Sequence, residues 1–187
     1  PIVRNHDLAD RATFEWQDAV VNLFGFPADQ NNKGTVHIAS DVPIFASSRT
    51  FNQIPNGTFG QYYPALTVGH ALPAGQAGVI PQLKKNTAFR SNLGILNLGT
   101  APCTVAIKLR GTTGTQLGST KTHTVSAGRY WQQDKIFDNV GAGTCDTAYA
   151  TVEVQTAGGK VWGYGSVVDN PTGDPPTIPM LSSLTAG

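Results

Sequence analysis

The chain has 187 residues, with 13 Lys and Arg against 12 Asp and Glu, for a formal net charge of +1. Its longest basic run is Lys84–Lys85, which excludes a nucleic-acid groove or an anionic membrane surface, since both need clustered cations. With 21 Gly, 12 Pro and only two Glu (Glu15 and Glu153), it reads as strands and turns. No apolar run approaches the ~18 residues that span a bilayer, so membrane insertion is not expected.

In chain order, Pro1 opens the sequence without a Met or a charged-then-apolar leader, as in a mature, excised or truncated form. "WQDAVVNLFG" (16–25) then predicts a two-turn helix over 18–24. Asp18 suits its N-cap, Gly25 suits the residue past its end, and Val20, Leu23 and Phe24 share one face. "GTVHIASDVPIFASSRTF" (34–51) predicts a β-hairpin, with Val36 and Ile38 alternating before a turn at 40–43. "SSRTFNQIPNGTFGQYYPAL" (47–66) follows, and Asn56-Gly57-Thr58 within it is a glycosylation sequon. Residues 67–78, "TVGHALPAGQAG", read as a linker.

Beyond the linker, 79–83 is expected to pair beside 88–97, and 103–111 and 121–128 read as further strands. In 103–111, Val105, Ile107 and Leu109 alternate with Thr104, Ala106 and Lys108, as in a half-buried strand. The first half's pattern then returns. "WQQDKIFDNVG" (131–141) matches 16–25 and predicts a helix over 134–140, with Trp131 in the place of Trp16. "AYATVEVQTAGGKVWGYGSVV" (148–168) reads as a hairpin turning at 157–160, with Val152 and Val154 inward and Glu153 outward. "GSVVDNPTGDPPTIPML" (165–181) repeats a Ser four places before an Asn (Ser48/Asn52, Ser166/Asn170), then a Gly-bearing turn and a Pro two places before a Leu.

The expected fold is therefore all-β: two tandem antiparallel immunoglobulin-like β-sandwich modules, each with a short helix. The modules are 1–66, incomplete, and 67–187, complete. The first copy has only residues 1–13 before its helix, where the second has the strands of 88–128.

"ASSRTFN", "NGTFGQYYPAL", "FRSNLGILNLG" followed by "CTVAIKLRG", and "GYGSVVDNPTGDPPTIP" resemble an uncharacterised family of tandem immunoglobulin-like repeats in large exported bacterial proteins. The resemblance spans roughly 14–181. It implies an extracellular or cell-surface setting and repeats that each open on a strand like "SNLGILN", which the first copy lacks. It carries no functional residue.

Little chemistry is concentrated anywhere. Cys103 and Cys145 lack metal or CxxC spacing and predict one disulfide, the alternative being two buried free thiols. Asp169, Asn170 and Asp174 share one Gly/Pro loop and are candidates for calcium ligation or for capping that turn's own amides. Phe59, Tyr62 and Tyr63, with Phe51, are candidates for a glycan-stacking platform; equally, alternate members would pack inside the sandwich with the Tyr hydroxyls reaching the backbone. The four His (6, 37, 70 and 123) have no ligand spacing, and no GxSxG elbow occurs, so no catalytic residue, metal or cofactor is expected.

Two functions compete. One is a non-catalytic assembly module, part of a surface structure or fibre, completed by strands from other copies or from an upstream fragment of the same precursor. The C-terminal "MLSSLTAG" (180–187) is a candidate donor strand for it. The other is a carbohydrate-binding accessory module whose partner is a polysaccharide.

Overall fold

The structure is a computed structural model that describes residues 2–30, 32–55 and 57–182. The chain divides into two units, residues 1–37 and 38–187. In the first unit the regular element is a one-turn helix, α1 (Ala19–Asn22). The second unit carries the strands: β1 (Ser47–Ile54), β2 (Gly57–Pro64), β3 (Leu72–Pro73), β4 (Ala77–Lys85), β5 (Phe89–Asn97), β6 (Cys103–Gly111), β7 (Gln116–Val125), β8 (Tyr130–Gln133), β9 (Cys145–Val154), β10 (Lys160–Asp169), β11 (Thr177–Pro179) and β12 (Leu181–Ser182). A second one-turn helix, α2 (Ile136–Asn139), follows β8.

The fold is mainly antiparallel β. One sheet has the order β11-β10-β5-β8, with β3 also on β10; the other has the order β12-β4-β9-β6-β7. Strand alternation aims Leu93, Ile95, Val161 and Val167 from the first sheet, and Ile80, Leu83, Val105, Ile107 and Val152 from the second, into one core. Gly163 and Gly165 let the layers approach, since a Cβ on Gly165 would stand 2.7 Å from Leu83 and 2.8 Å from Ile80. Phe137 and Ile136 of α2 add to this core and are 1% and 0% exposed.

Several expectations change. Residues 148–168 are not a hairpin: β9 lies between β4 and β6, while β10 lies in the other sheet beside β5. The reason is burial. β9 hides one face only, whereas Val161–Val168 is buried throughout and needs cover on both sides. β4 accordingly pairs with β9, not with 88–97. The hairpin expected over 34–51 is absent, and 34–46 contains no strand. Pro43 interrupts any ladder there, and β1 is instead taken up by β2 in the register Ser47↔Pro64 to Ile54↔Gly57.

The expected linker 67–78 is built into the sandwich: Leu72 is 1% exposed, and β3 pairs Val161↔Leu72. The boundary between units falls at 37/38, not after 66. At the C-terminus, Leu181↔Val79 ties β12 onto its own β4, so 180–182 are engaged within the chain, and 183–187 lie outside the described residues. Asn56 of the sequon also lies outside them.

The helices are one turn each rather than two. Asp18 stands at the N-cap of α1 as expected, but in a left-handed conformation (φ 47°) with no side-chain cap bond, and Lys135 rather than Asp134 is the N-cap of α2 (φ 49°). The glycine stops are as expected after both helices: Gly25 has φ 74° and its N–H donates to the Val21 carbonyl at 2.8 Å. Gly141 has φ 68°, its N–H donates to the Asp138 carbonyl at 3.2 Å, and the Ala142 N–H donates to the Phe137 carbonyl at 2.9 Å. The tryptophans meet unlike surroundings. Trp131 is in β8 and stacks on His123 at 4.1 Å and 14°, while Trp16 meets His6 and Phe14 edge-on outside any strand. Ser48 is exposed on β1, but Ser166 is 2% exposed on β10, so the two Ser positions are not equivalent either.

The disulfide is also corrected: Cys103 and Cys145 are free. β6 and β9 run antiparallel from Val105↔Val154 to Gly111↔Ala148, which puts Cys103 at one end of the pair and Cys145 beyond the other. Eight residues of strand separate those ends, about 26 Å at ~3.3 Å per residue, against the roughly 7 Å limit between Cα atoms of a disulfide. Cys103 is buried, and that burial pushes its thiol above the ordinary value, making it a poor nucleophile. Intact mass is therefore expected not to change with reductant. Iodoacetamide should label Cys145 in the native protein and Cys103 only after unfolding; a mass two hydrogens short before reduction would contradict this.

Candidate functional site

The β1–β2 hairpin has two unlike faces. Residues opposite one another across an antiparallel pair share a face, and successive residues alternate. Ser48/Tyr63, Thr50/Gln61 and Asn52/Phe59 therefore form one face, and Ser47/Pro64, Arg49/Tyr62, Phe51/Gly60 and Gln53/Thr58 form the other.

The first face is anchored on the sandwich. The Gln61 side chain, 9% exposed, donates to Ser166 Oγ at 2.7 Å and to the Pro176 carbonyl at 3.3 Å. Gln61 Oε1 accepts from the Tyr63 hydroxyl at 2.9 Å, and the Tyr63 ring meets Tyr164 edge-on at 5.3 Å. Tyr164 in turn donates to Gln132 Oε1 at 2.6 Å. Its ring lies across Gly94, where a Cβ would come within 2.2 Å of it. Burial first, then the neighbouring Tyr63, pushes the Tyr164 hydroxyl far above its ordinary value, and burial also raises Tyr63. Both stay neutral donors, so this chain of contacts is structural rather than acid–base machinery.

The second face looks out. Tyr62 is 59% and Phe51 54% exposed. The Arg49 guanidinium stands 5.4 Å from the Phe51 ring centroid and donates to Thr58 Oγ1 at 3.3 Å. Gly60 leaves the space that Phe51 crosses, since a Cβ there would stand 2.6 Å from the Phe51 Cβ. The Ala65 N–H donates to the Ala46 carbonyl at 3.1 Å, extending the ladder one pair beyond Ser47. Phe45, just before that pair, is wholly exposed. The three aromatics singled out in the sequence are thus separated: Phe59 and Tyr63 turn inward with Gln61, and Tyr62 turns outward with Phe51.

No family model matches this chain, and no curated protein matches it. One solved structure, described as the crystal structure of Thermotoga maritima 1070, is similar over 59% of this chain and 95% of its own, with 12% identity and a TM-score of 0.45.

In the 169–174 loop the side chains of Asp169 and Asn170 are held by Thr172, Arg90 and the Thr87 carbonyl. Asn170 donates to the Thr87 carbonyl at 3.0 Å, and its Oδ1 accepts from Arg90 at 2.8 Å, so a cationic guanidinium already holds that oxygen. Asp169 Oδ2 accepts from Thr172 at 2.6 Å, and the Asp169 N–H donates to the Asp174 carbonyl at 3.0 Å. The side chain that caps a loop amide is that of Thr172, whose Oγ1 accepts from the Asp174 N–H at 3.2 Å, rather than Asp169 or Asn170 as expected. Asp169 and Asp174 also rim an open cavity of about 470 Å³ floored by Leu83, Phe89 and Ile178. Beside it, Gln82 holds φ 61° at the bulge where the β4–β9 register jumps between Ile80 and Leu83. Among the described residues, no group of three His, Cys, Asp or Glu is placed to hold a metal.

Proposed function

We propose that this chain is a non-catalytic assembly module of an extracellular or surface protein, and that its N-terminal part ahead of the β1–β2 hairpin is completed as a second immunoglobulin-like sandwich by strands from another chain. One observation carries the reading: among the described residues, none before β1 is buried. That stretch is nevertheless rich in large apolar side chains, with Val3 73%, Phe14 50%, Val36 60%, Ile38 59% and Val42 61% exposed. A segment of this composition gains its core only against a partner surface, and such exposure marks interaction sites. Val36, Ile38, Val42 and Ile44 fall on even positions, the pattern of one face of a strand, yet 34–46 lies in no sheet. The partner is another copy or an upstream fragment of the same precursor.

Hydrogen exchange with light scattering tests this. In the isolated monomer, amides of 2–46 are expected to exchange within seconds, and in any assembled species they should gain protection while β5, β6 and β9 stay protected in both. Slow exchange through 2–46 in a strict monomer would overturn the proposal, because the chain would then be completing itself.

A further inference from the structure

We propose that the outward face of the β1–β2 hairpin, Arg49, Phe51 and Tyr62 with Phe45 at its base, is a saccharide-stacking site. Its occupant would be a β-linked oligosaccharide of flat, equatorially substituted pyranose rings. The size of the face argues first. Eight residues at ~3.4 Å each by two strands ~5 Å apart make an area of about 270 Å², against the ~800 Å² per partner of a stable protein interface. A second copy is too large an occupant for this face, and a few sugar rings fit it. Its chemistry argues second. The exposed rings of Phe51 and Tyr62 stand at diagonal positions across the pair, while Arg49, Gln53 and Thr58 place hydrogen-bonding groups between and beside them. Apolar rings interleaved with donors match a pyranose, which has apolar C–H faces and a hydroxyl rim. A nucleic acid would also stack on these rings, but Arg49 is the single cationic residue among the eight pairs of the hairpin, far short of what tracking a phosphate backbone requires.

The site is also preformed. Arg49 braces the Phe51 ring, Gly60 makes room for it, and the buried Gln61–Ser166 bond pins the opposite face of the same strand. Little side-chain freedom is left to lose on binding. This proposal is independent of how the N-terminal segment is completed.

The test titrates the full-length chain with cellohexaose, with chitohexaose and, for comparison, with a dT12 oligonucleotide, following binding by calorimetry and by tyrosine fluorescence. Saturable binding to at least one hexaose is expected, weakened ten-fold or more in Phe51→Ala and in Tyr62→Ala. It should be unchanged in Val68→Ala, an equally exposed apolar position off this face. Thermal unfolding of each variant confirms that the hairpin survives. Three results would overturn the proposal: no binding to either sugar by the folded chain, binding indifferent to both aromatic substitutions, or tighter binding of dT12 than of the sugars. Self-association of the chain that Tyr62→Ala abolishes would overturn it too, in favour of a second copy.

Discussion

Phe137→Ala is expected to lower folding stability by about 3–5 kcal/mol, the usual range for emptying a buried aromatic site. Phe137 is the largest side chain under 2% exposure, and it sits on a helix of a single turn. Four residues have almost no helical stability of their own, so α2 exists because Ile136 and Phe137 are buried. Removing the ring both opens a cavity and releases the segment that leads to Gly141, and the neighbouring strands are too regular to collapse into the gap. Urea denaturation followed by circular dichroism measures this directly. A loss under about 1 kcal/mol would mean that the site repacks and that α2 is not a core element.

The second large effect is expected at Gly118, in the β7 strand. Its φ is 67°, and a Cβ there would stand 2.1 Å from the Val140 carbonyl oxygen. The same oxygen accepts from the Ser119 N–H at 2.7 Å and from Ser119 Oγ at 3.3 Å, which ties β7 to the end of α2. Gly118→Ala must therefore adopt a left-handed conformation and also push the carbonyl away, breaking those two bonds. A loss of about 2–4 kcal/mol is expected from strain and displaced backbone together. Gly158→Ala is the control, because φ there is 73° but no atom lies within 4 Å of the added Cβ. Strain alone should cost it about 1 kcal/mol. Equal losses in the two variants would show that conformational strain, and not the contact with Val140, governs both sites.

The candidate binding face shows what alternation makes legible. Phe59, Gln61 and Tyr63 are two apart, as are Gly60 and Tyr62, and this spacing alone puts Tyr62 and Tyr63 on opposite faces of any strand through them. Which of the two faces is buried was not legible, because it depends on Ser166, 105 residues further on, being presented to Gln61. Arg49 and Phe45 had no local signal at all, and only the pairing of β1 with β2 places Arg49 beside Tyr62.

From the sequence by itself came the β-rich class, the positions of β5, β6 and β9, the short helix before Gly141 and the outward Glu153, which now pairs with Lys108 at 2.8 Å. These follow from side-chain periodicity and from glycine's freedom at positive φ, properties of a few consecutive residues. The tertiary structure alone decided that β9 and β10 part into different sheets, that Cys103 and Cys145 stand at opposite ends of a strand pair, and that 34–46 stays out of any sheet. Strand pairing is chosen by which distant faces must be covered together. β10, apolar along both faces, demanded a layer on each side, and neighbours in the sequence could not provide both.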